Sequence, residues 1–500
     1  MYRRDFLKLG SLSIAQTAAA RILHAQMQGM AHPVTTSTPP PNTPADITLN
    51  IAPVTVELAP DRILSTIGYN GTSPGPILRM KAGKPITVDV LNATDTPELV
   101  HWHGLTIPPD TDGVEEEATP FVPPQRDGTP GRRRYQFTPA PAGSRWYHSH
   151  AMAMADLHKG AFTGQFGFCL IDGPTGSDPG HYDQELFLAL RDWEPFFTTS
   201  MEDMDADDTS GPQSERPAVL NTDPNGLEVN SLTYSINDKS LGAGEPLRVK
   251  AGQRILFHFL NASAIENRRV SLSGHKFRVL ALDGNPVPTP QLVETLFIGA
   301  GERICATVEM DNPGVWILGA PEDPIRNAGL GVVVEYANQN SQPKWLKPST
   351  LRWDYLQFAA PQTNGAGSPP LKIPDRIPDH VYDMVFEKIP RGAGNFNVFT
   401  VNGKPYPHGN EFVLQQGLRY RLIFRNRTDD AHPMHLHRHQ LELTEMNGVK
   451  TSGLIKDTVM VPYYGRAAVD FTADQPGLTL FHCHIQQHMD YGFRALFRYI

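Results

Sequence analysis

The chain has 500 residues, enough for about three domains of roughly 150 residues each. With 40% apolar and 19% charged residues it is not a disordered chain, its net charge of −9 gives no footprint for nucleic acid, and three cysteines cannot build a disulfide framework. Pro (45) and Gly (42) point to a turn-rich β protein, and the 19 histidines are the unusual component.

At the N-terminus, Arg3-Arg4-Asp5-Phe6-Leu7-Lys8 is a twin-arginine pattern, followed by a weakly apolar run from Leu9 to Ala20 and a cleavage-type Leu23-His24-Ala25. Residues 1–26 therefore read as a twin-arginine export signal, which predicts a periplasmic or secreted protein. Residues 27–46, rich in Thr and Pro, read as a linker. No later stretch approaches 18 apolar residues, so no membrane span is expected in the mature chain.

Beyond residue 46 one pattern occurs three times: Gly83 to Asn92-Ala93-Thr94, Gly252 to Asn261-Ala262-Ser263, and Gly417 to Asn426-Arg427-Thr428. Asn lies nine residues after Gly, and a hydroxyl residue two after Asn. A second pattern (Pro141-Ala142-Gly143, Pro313-Gly314, Pro476-Gly477) leads into an apolar strand. Past Gly164, Gly329 or Gly492 it reaches a last one. The β-branched and aromatic residues at near-alternating positions predict strands. The expectation is an all-β chain of three Greek-key β-sandwich domains, at 47–175, 176–340 and 341–500.

The histidines fall into register with these repeats. His101 and His435 lie eighteen residues after Gly83 and Gly417, and His103 and His437 twenty after. His148 and His482 lie five residues after Gly143 and Gly477, and His150 and His484 seven after. The middle repeat has Val270, Leu272, Gly319 and Pro321 at those offsets. Random scatter of 19 histidines would give about 0.7 His-x-His pairs of the kind a period-two strand uses; five occur, counting His437/His439. Residues i and i+2 share a strand face. Two strands from each of two repeats therefore place eight imidazoles around one cavity. Without an accompanying carboxylate pattern, that donor set predicts a multinuclear transition-metal site, with copper the best match.

Cys483 lies between His482 and His484 and so points to the opposite face of their strand. With His432 and His488 it completes the Cys-His-His set of a blue-copper electron-transfer site. The two sites would lie on the order of 10 Å apart, joined by the backbone of one strand.

Four segments together resemble the ligand motifs of the multicopper oxidases, in particular laccase-like bacterial members with three domains. They are His101-Trp102-His103-Gly104, His148-Ser149-His150, His432-Pro433-Met434-His435-Leu436-His437 and His482-Cys483-His484-Ile485-Gln486-Gln487-His488. The resemblance implies three cupredoxin-like domains and four copper ions. His432, Cys483 and His488 would hold type 1 copper, and His101 and His435 type 2. His103, His148, His150, His437, His482 and His484 would hold the type 3 pair. The implied reaction couples four one-electron oxidations of a reducing substrate to reduction of dioxygen to two waters.

The resemblance further implies that Asp112 supplies protons near the cluster, that Asp457 hydrogen-bonds a type 1 histidine, and that Asp192 lies by the donor site. Three positions depart from the pattern. Phe493, ten residues after Cys483, stands at the axial position in place of Met and cannot coordinate. A three-coordinate type 1 copper of raised potential is expected. Met489 stands where some bacterial metal oxidases carry a proton-donating Glu, which leaves Asp490 or Asp112 for that task. Arg438 replaces the Gly common in the third motif, near the type 1 site. The expected donor is a small phenolic or aromatic reductant. The alternative is Cu(I) or Fe(II), as in a copper-tolerance oxidase, with Met152, Met154, Met201 and Met204 as candidate thioethers.

Overall fold

The strand Arg419–Asn426 sends Tyr420, Leu422, Phe424 and Asn426 inward and leaves Arg419, Arg421, Ile423 and Arg425 more open, the alternation that one covered face requires. The strands Val100–His103, His432–Leu436 and Leu478–Cys483 differ, being buried almost throughout. One of their faces belongs to a sandwich core, and the other is covered by a neighbouring repeat. The histidines sit on that second face.

The computed structural model describes residues 43–173, 180–198, 226–360, 377–392, 394–409 and 411–500. The export-signal segment, most of the 27–46 linker, and Met201 and Met204 lie outside the described residues. Within them, six sheets pair into three cupredoxin-like β-sandwiches drawn from 47–172, 184–336 and 380–499. All three fall in one unit, Ala45–Ile500. No described helix is long and apolar enough to cross a membrane.

The second and third sandwiches share one plan, a six-stranded and a five-stranded sheet with corresponding strand order, whereas the first has two four-stranded sheets. Its sheets lack the counterparts of the strands Leu441–Met446, Val449–Lys456 and Thr458–Val461. In their place, between His103 and Gly131, runs a loop whose one helical turn is Glu115–Glu117. That loop carries Asp112 and Glu117 to the site.

The repeating Asn does the same work in each copy. Its Oδ1 accepts the N–H two residues on, at 2.9 Å for Thr94, 3.0 Å for Ser263 and 2.9 Å for Thr428. Its Nδ2 donates to the carbonyl of Thr96, Glu266 or Asp430. A side chain that closes its own turn leaves a fixed sequence offset, which is why the repeat is legible. The second and third sandwiches share one continuous apolar core, and the first has its own, built around Tyr69, Trp102, Tyr135 and Tyr147. Trp102 faces this core, opposite His101 and His103. Burying such a ring contributes roughly 4–6 kcal/mol, which anchors the ligand strand.

Candidate metal centre

Val100–His103 pairs with Gly143–Ser149 so that His101 lies opposite His148, and His432–Leu436 pairs with Leu478–Cys483 so that His435 lies opposite His482. The histidine faces of the two strand pairs meet between the first and third sandwiches. Ring centroids are 4.2 Å apart for His101 and His437, 3.9 Å for His103 and His435, 5.1 Å for His150 and His482, and 5.2 Å for His148 and His484. All eight repeat-matched histidines thus line one cavity. Within it, the ligand nitrogens of His101, His435 and His437, of His101, His103 and His148, and of His150, His437 and His482 form groups with atoms within 4.8 Å of one another.

Backbone and carboxylate acceptors decide which nitrogen each ring turns inward. Nδ1–H donates to a main-chain carbonyl from His101 (Asp112, 2.8 Å), His148 (Ser149, 2.9 Å), His435 (Asp457, 2.7 Å) and His482 (Cys483, 2.8 Å). His437 Nδ1–H donates to Asp112 Oδ2 at 2.7 Å, and His103 Nε2–H to Asp457 Oδ1 at 3.1 Å. The inward atoms His101 Nε2, His103 Nδ1, His148 Nε2 and His435 Nε2, and both nitrogens of His484, are buried without a protein partner. A single such orphan costs about 1–3 kcal/mol, so a cluster of them marks a ligand site. His437 Nε2 and His482 Nε2 face each other at 2.9 Å with both ring protons committed elsewhere. Two bare lone pairs at that distance need a cation between them. Burial, reinforced by repulsion among the rings, holds His103, His148, His150, His437, His482 and His484 well below the usual imidazole range, and His435 is pushed down to about 3. Neutral imidazole is the form that binds a transition metal.

On the other face of Leu478–Cys483, Cys483 Sγ lies 3.7 Å from His432 Nδ1 and 3.6 Å from His488 Nδ1. All three residues are buried. Thr428, the hydroxyl of the sequence repeat, bonds His432 Nε2 at 2.6 Å and so aims Nδ1 at the sulfur. Phe399 lies on the His488 ring (4.0 Å), and Phe493 meets the His432 ring edge-on (4.8 Å, 80°). Two phenylalanine rings, Phe399 and Phe493, thus pack against the imidazoles that flank Cys483.

The first sandwich keeps this frame with other side chains. Ser149 N–H donates to Gln165 O at 3.0 Å, as Cys483 N–H does to Phe493 O at 3.2 Å. Ser149 Oγ–H donates to Glu98 Oε2 at 3.1 Å, and Glu98 stands four residues after Thr94, as His432 stands four after Thr428. A hydroxyl and a carboxyl, the latter pushed by burial up to about 7, replace thiol and imidazole. That substitution explains why the first sandwich does not repeat the Cys-His-His set of the third.

Three expectations need correction. Asp457 does not touch a histidine of the Cys483 set. It lies at the cavity, bonding His103 through Oδ1 and His435 through its main-chain oxygen. The reason is its position in a junction of all three sandwiches, where Arg303 of the second (Nη1 to Oδ1, 2.7 Å) and Arg145 of the first (Nη1 to Oδ2, 3.3 Å) converge on it. Burial opposes its charge, but Arg303 above all outweighs this and holds the carboxyl well below the usual range. Gly104 is required beside it: its φ is 84°, and a Cβ would meet Asp457 Oδ2 at 2.4 Å and Arg303 Nη2 at 2.8 Å. Arg438 is likewise on the cavity side, paired with Glu117 (2.7 Å). Asp192 is buried rather than open to a donor. It accepts the Ala264 N–H (2.9 Å), and Ala264 O in turn accepts the Gln486 N–H.

Asp112 stands where the loop brings it, with Oδ2 at 2.7 Å from His437 Nδ1 and Oδ1 without a protein partner. Asp490 is one layer away, accepting the N–H groups of Ala153 and Met154 and a Gln486 amide. His439, the fifth pair's extra member, leaves the cavity and bonds Tyr499 at 2.6 Å, as His275 bonds Tyr336 at 2.6 Å in the middle repeat. Sequence reasoning missed Glu117, Arg145, Arg303 and Thr428. Thr428 alone carried a signal, the repeated hydroxyl.

A Cys-His-His set and an eight-imidazole cavity on opposite faces of one strand are the parts of a redox metalloprotein. Multicopper oxidase family models match residues 51–176, 185–338 and 382–499. The chain is 30% identical to the multicopper oxidase MmcO of Mycobacterium tuberculosis over 470 residues, 91% of this chain and 86% of that protein. Its fold resembles the crystal structure of a laccase from Botrytis aclada (TM-score 0.67, 20% identity, 91% of this chain and 88% of that one). It also resembles Fet3p, a multicopper oxidase that functions in iron import (TM-score 0.66, 18% identity, 91% and 90%). The chain belongs to the multicopper oxidases: it is a copper-dependent enzyme that reduces dioxygen with electrons from a reducing substrate.

Proposed function

We propose that this multicopper oxidase is laccase-like, taking single electrons from small phenolic or aromatic donors. His432, Cys483 and His488 hold the type 1 copper, His101 and His435 the type 2, and the other six cavity histidines the type 3 pair. Copper at these ligands supplies one-electron transfer and the four-electron reduction of dioxygen. Cys483 links the sites because its backbone neighbours, His482 and His484, both face the cavity. Asp112 Oδ1, buried beside two ligands and free of protein donors, is the atom placed to hold a proton for the cluster. Asp490 stands farther off, and burial pushes its carboxyl up to about 6. The twin-arginine pattern supports export to the periplasm or beyond.

The observation that carries the donor assignment is an aromatic row beside the His488 helix, Gln486–Asp490. Tyr491 stacks on Phe396 (4.2 Å), Phe396 meets Phe197 edge-on (5.3 Å), and Phe197 is exposed. A planar donor is held by offset and edge contacts with such rings. The nearby acids Asp429 and Asp430 are both occupied by Lys388 (2.5 and 3.0 Å), which makes them poor seats for a metal cation.

Dioxygen uptake by copper-loaded protein tests this, with 2,6-dimethoxyphenol and Cu(I) compared under identical conditions. The phenol is expected to turn over faster. Faster Cu(I) turnover would make this a metal oxidase and shift attention to the exposed thioethers of Met152 and Met154. Phe493→Met should lower the type 1 midpoint potential, since it offers a thioether where an apolar ring now meets His432. A redox titration showing an unchanged potential would contradict the three-coordinate site.

A further inference from the structure

Arg438 follows the ligand His437 with a φ of 59°, in the left-handed region that favours glycine, and its side chain is buried. A guanidinium held there needs a partner, and that partner is Glu117 on the loop that replaces the edge strands of the first sandwich. Arg438 Nε lies 2.7 Å from Glu117 Oε2. Its other nitrogens donate to Pro476 O (3.2 Å), Leu478 O (2.5 Å) and Thr479 Oγ1 (2.5 Å). Glu117 Oε1 accepts the Leu480 N–H at 2.7 Å, and Leu480 O accepts the His437 N–H at 3.0 Å. The same Oε1 lies 3.9 Å from His437 Nδ1, whose proton goes instead to Asp112 Oδ2 at 2.7 Å. Two buried carboxyl groups thus flank one imidazole N–H. Arg438 and Leu480 hold the Glu117 carboxylate back, which leaves Asp112 as acceptor and points His437 Nε2 at His482.

We propose that the Glu117–Arg438 pair is a positioning device for the cavity. It sets the tilt of His437 and fixes the strand carrying His482, Cys483 and His484 against the Asp112 loop. The inference rests on the reading that the cavity holds the type 2 and type 3 coppers. Both residues act through His437 and the strand rather than by touching a reacting atom.

The test compares full-length wild type, R438G, E117Q and R438G/E117Q after copper loading. Gly suits the backbone at 438, so R438G removes the charge without adding strain. R438G should lose bound copper from the cavity, change the type 2 EPR hyperfine pattern and lower dioxygen uptake about tenfold or more, the usual scale for a partner of a metal ligand. The blue absorption from Cys483, on the other strand face, should persist. In the double variant no buried charge is left unpaired, and a Gln carbonyl still accepts the Leu480 N–H. Copper content and the EPR pattern should therefore return most of the way to wild type.

An R438G protein with wild-type EPR and copper content, differing only in melting temperature, would overturn the proposal. So would a double variant no better than R438G. If R438G does not fold, R438K keeps a charge but not the fork to Leu478 and Thr479. Intermediate copper content is then expected, and wild-type values would count against the pair. Long-range 1H–15N spectra of the copper-free imidazoles read His437 directly: its Nδ1 signal should move in R438G and return in the double variant, and a signal that stays put refutes the proposal. That readout survives even if the cavity takes up no copper, a result that would sink the proposed function instead.

Discussion

Cys483→Ser will give a folded, colourless protein with dioxygen uptake at background. Serine offers copper no soft thiolate, so the charge-transfer colour goes and the route from the His432/His488 side to the cavity is cut at its first atom. Cys483 is fully buried beside His432 and His488. The hydroxyl costs about 1–3 kcal/mol in that setting, too little to unfold three sandwiches with continuous cores. Absorption spectroscopy, copper analysis and oxygen-electrode traces on one preparation check this. Retained turnover would mean that electrons reach the cavity by another path.

His103→Ala should do the reverse, leaving a blue protein that a donor bleaches once and that then consumes no dioxygen. His103 faces the cavity, and its Nε2–H is held by Asp457, far from the Cys483 face of the neighbouring repeat. Its loss removes one of the cavity imidazoles, while Asp457 keeps Arg303 and Arg145. The Cys483 set lies on the opposite face of its strand, and its side-chain partners, His432 and His488, make no bond to His103, so the blue colour should persist. Stopped-flow bleaching with and without dioxygen separates the two half-reactions. Normal steady-state turnover would refute the assignment of His103 to the cluster.

The eight cavity histidines were legible because strand geometry is local. A side chain's face is fixed by a period of two, and two repeats with the same offsets must present the same faces. The turn-closing Asn marked the repeats for an equally local reason. Asp457 was misplaced because nothing local tells which sandwich its strand will meet. Its neighbours Arg145 and Arg303 lie 312 and 154 residues away in sequence. Arg438 was visible as a departure, but Glu117 sits unmarked among Glu115, Glu116 and Glu117, and only the loop that replaces the missing edge strands brings the two together.

The sequence by itself determined the fold class, the repeat plan, the eight imidazoles and the Cys-His-His set, since each follows from backbone periodicity within one strand or turn. The tertiary structure alone decided which acids and arginines stand behind those ligands. That second layer is assembled where three sandwiches abut. There the desolvation of buried charge sets Asp457 against Arg303 and Arg145, and Glu117 against Arg438, across domain boundaries, however far apart in the chain the partners lie.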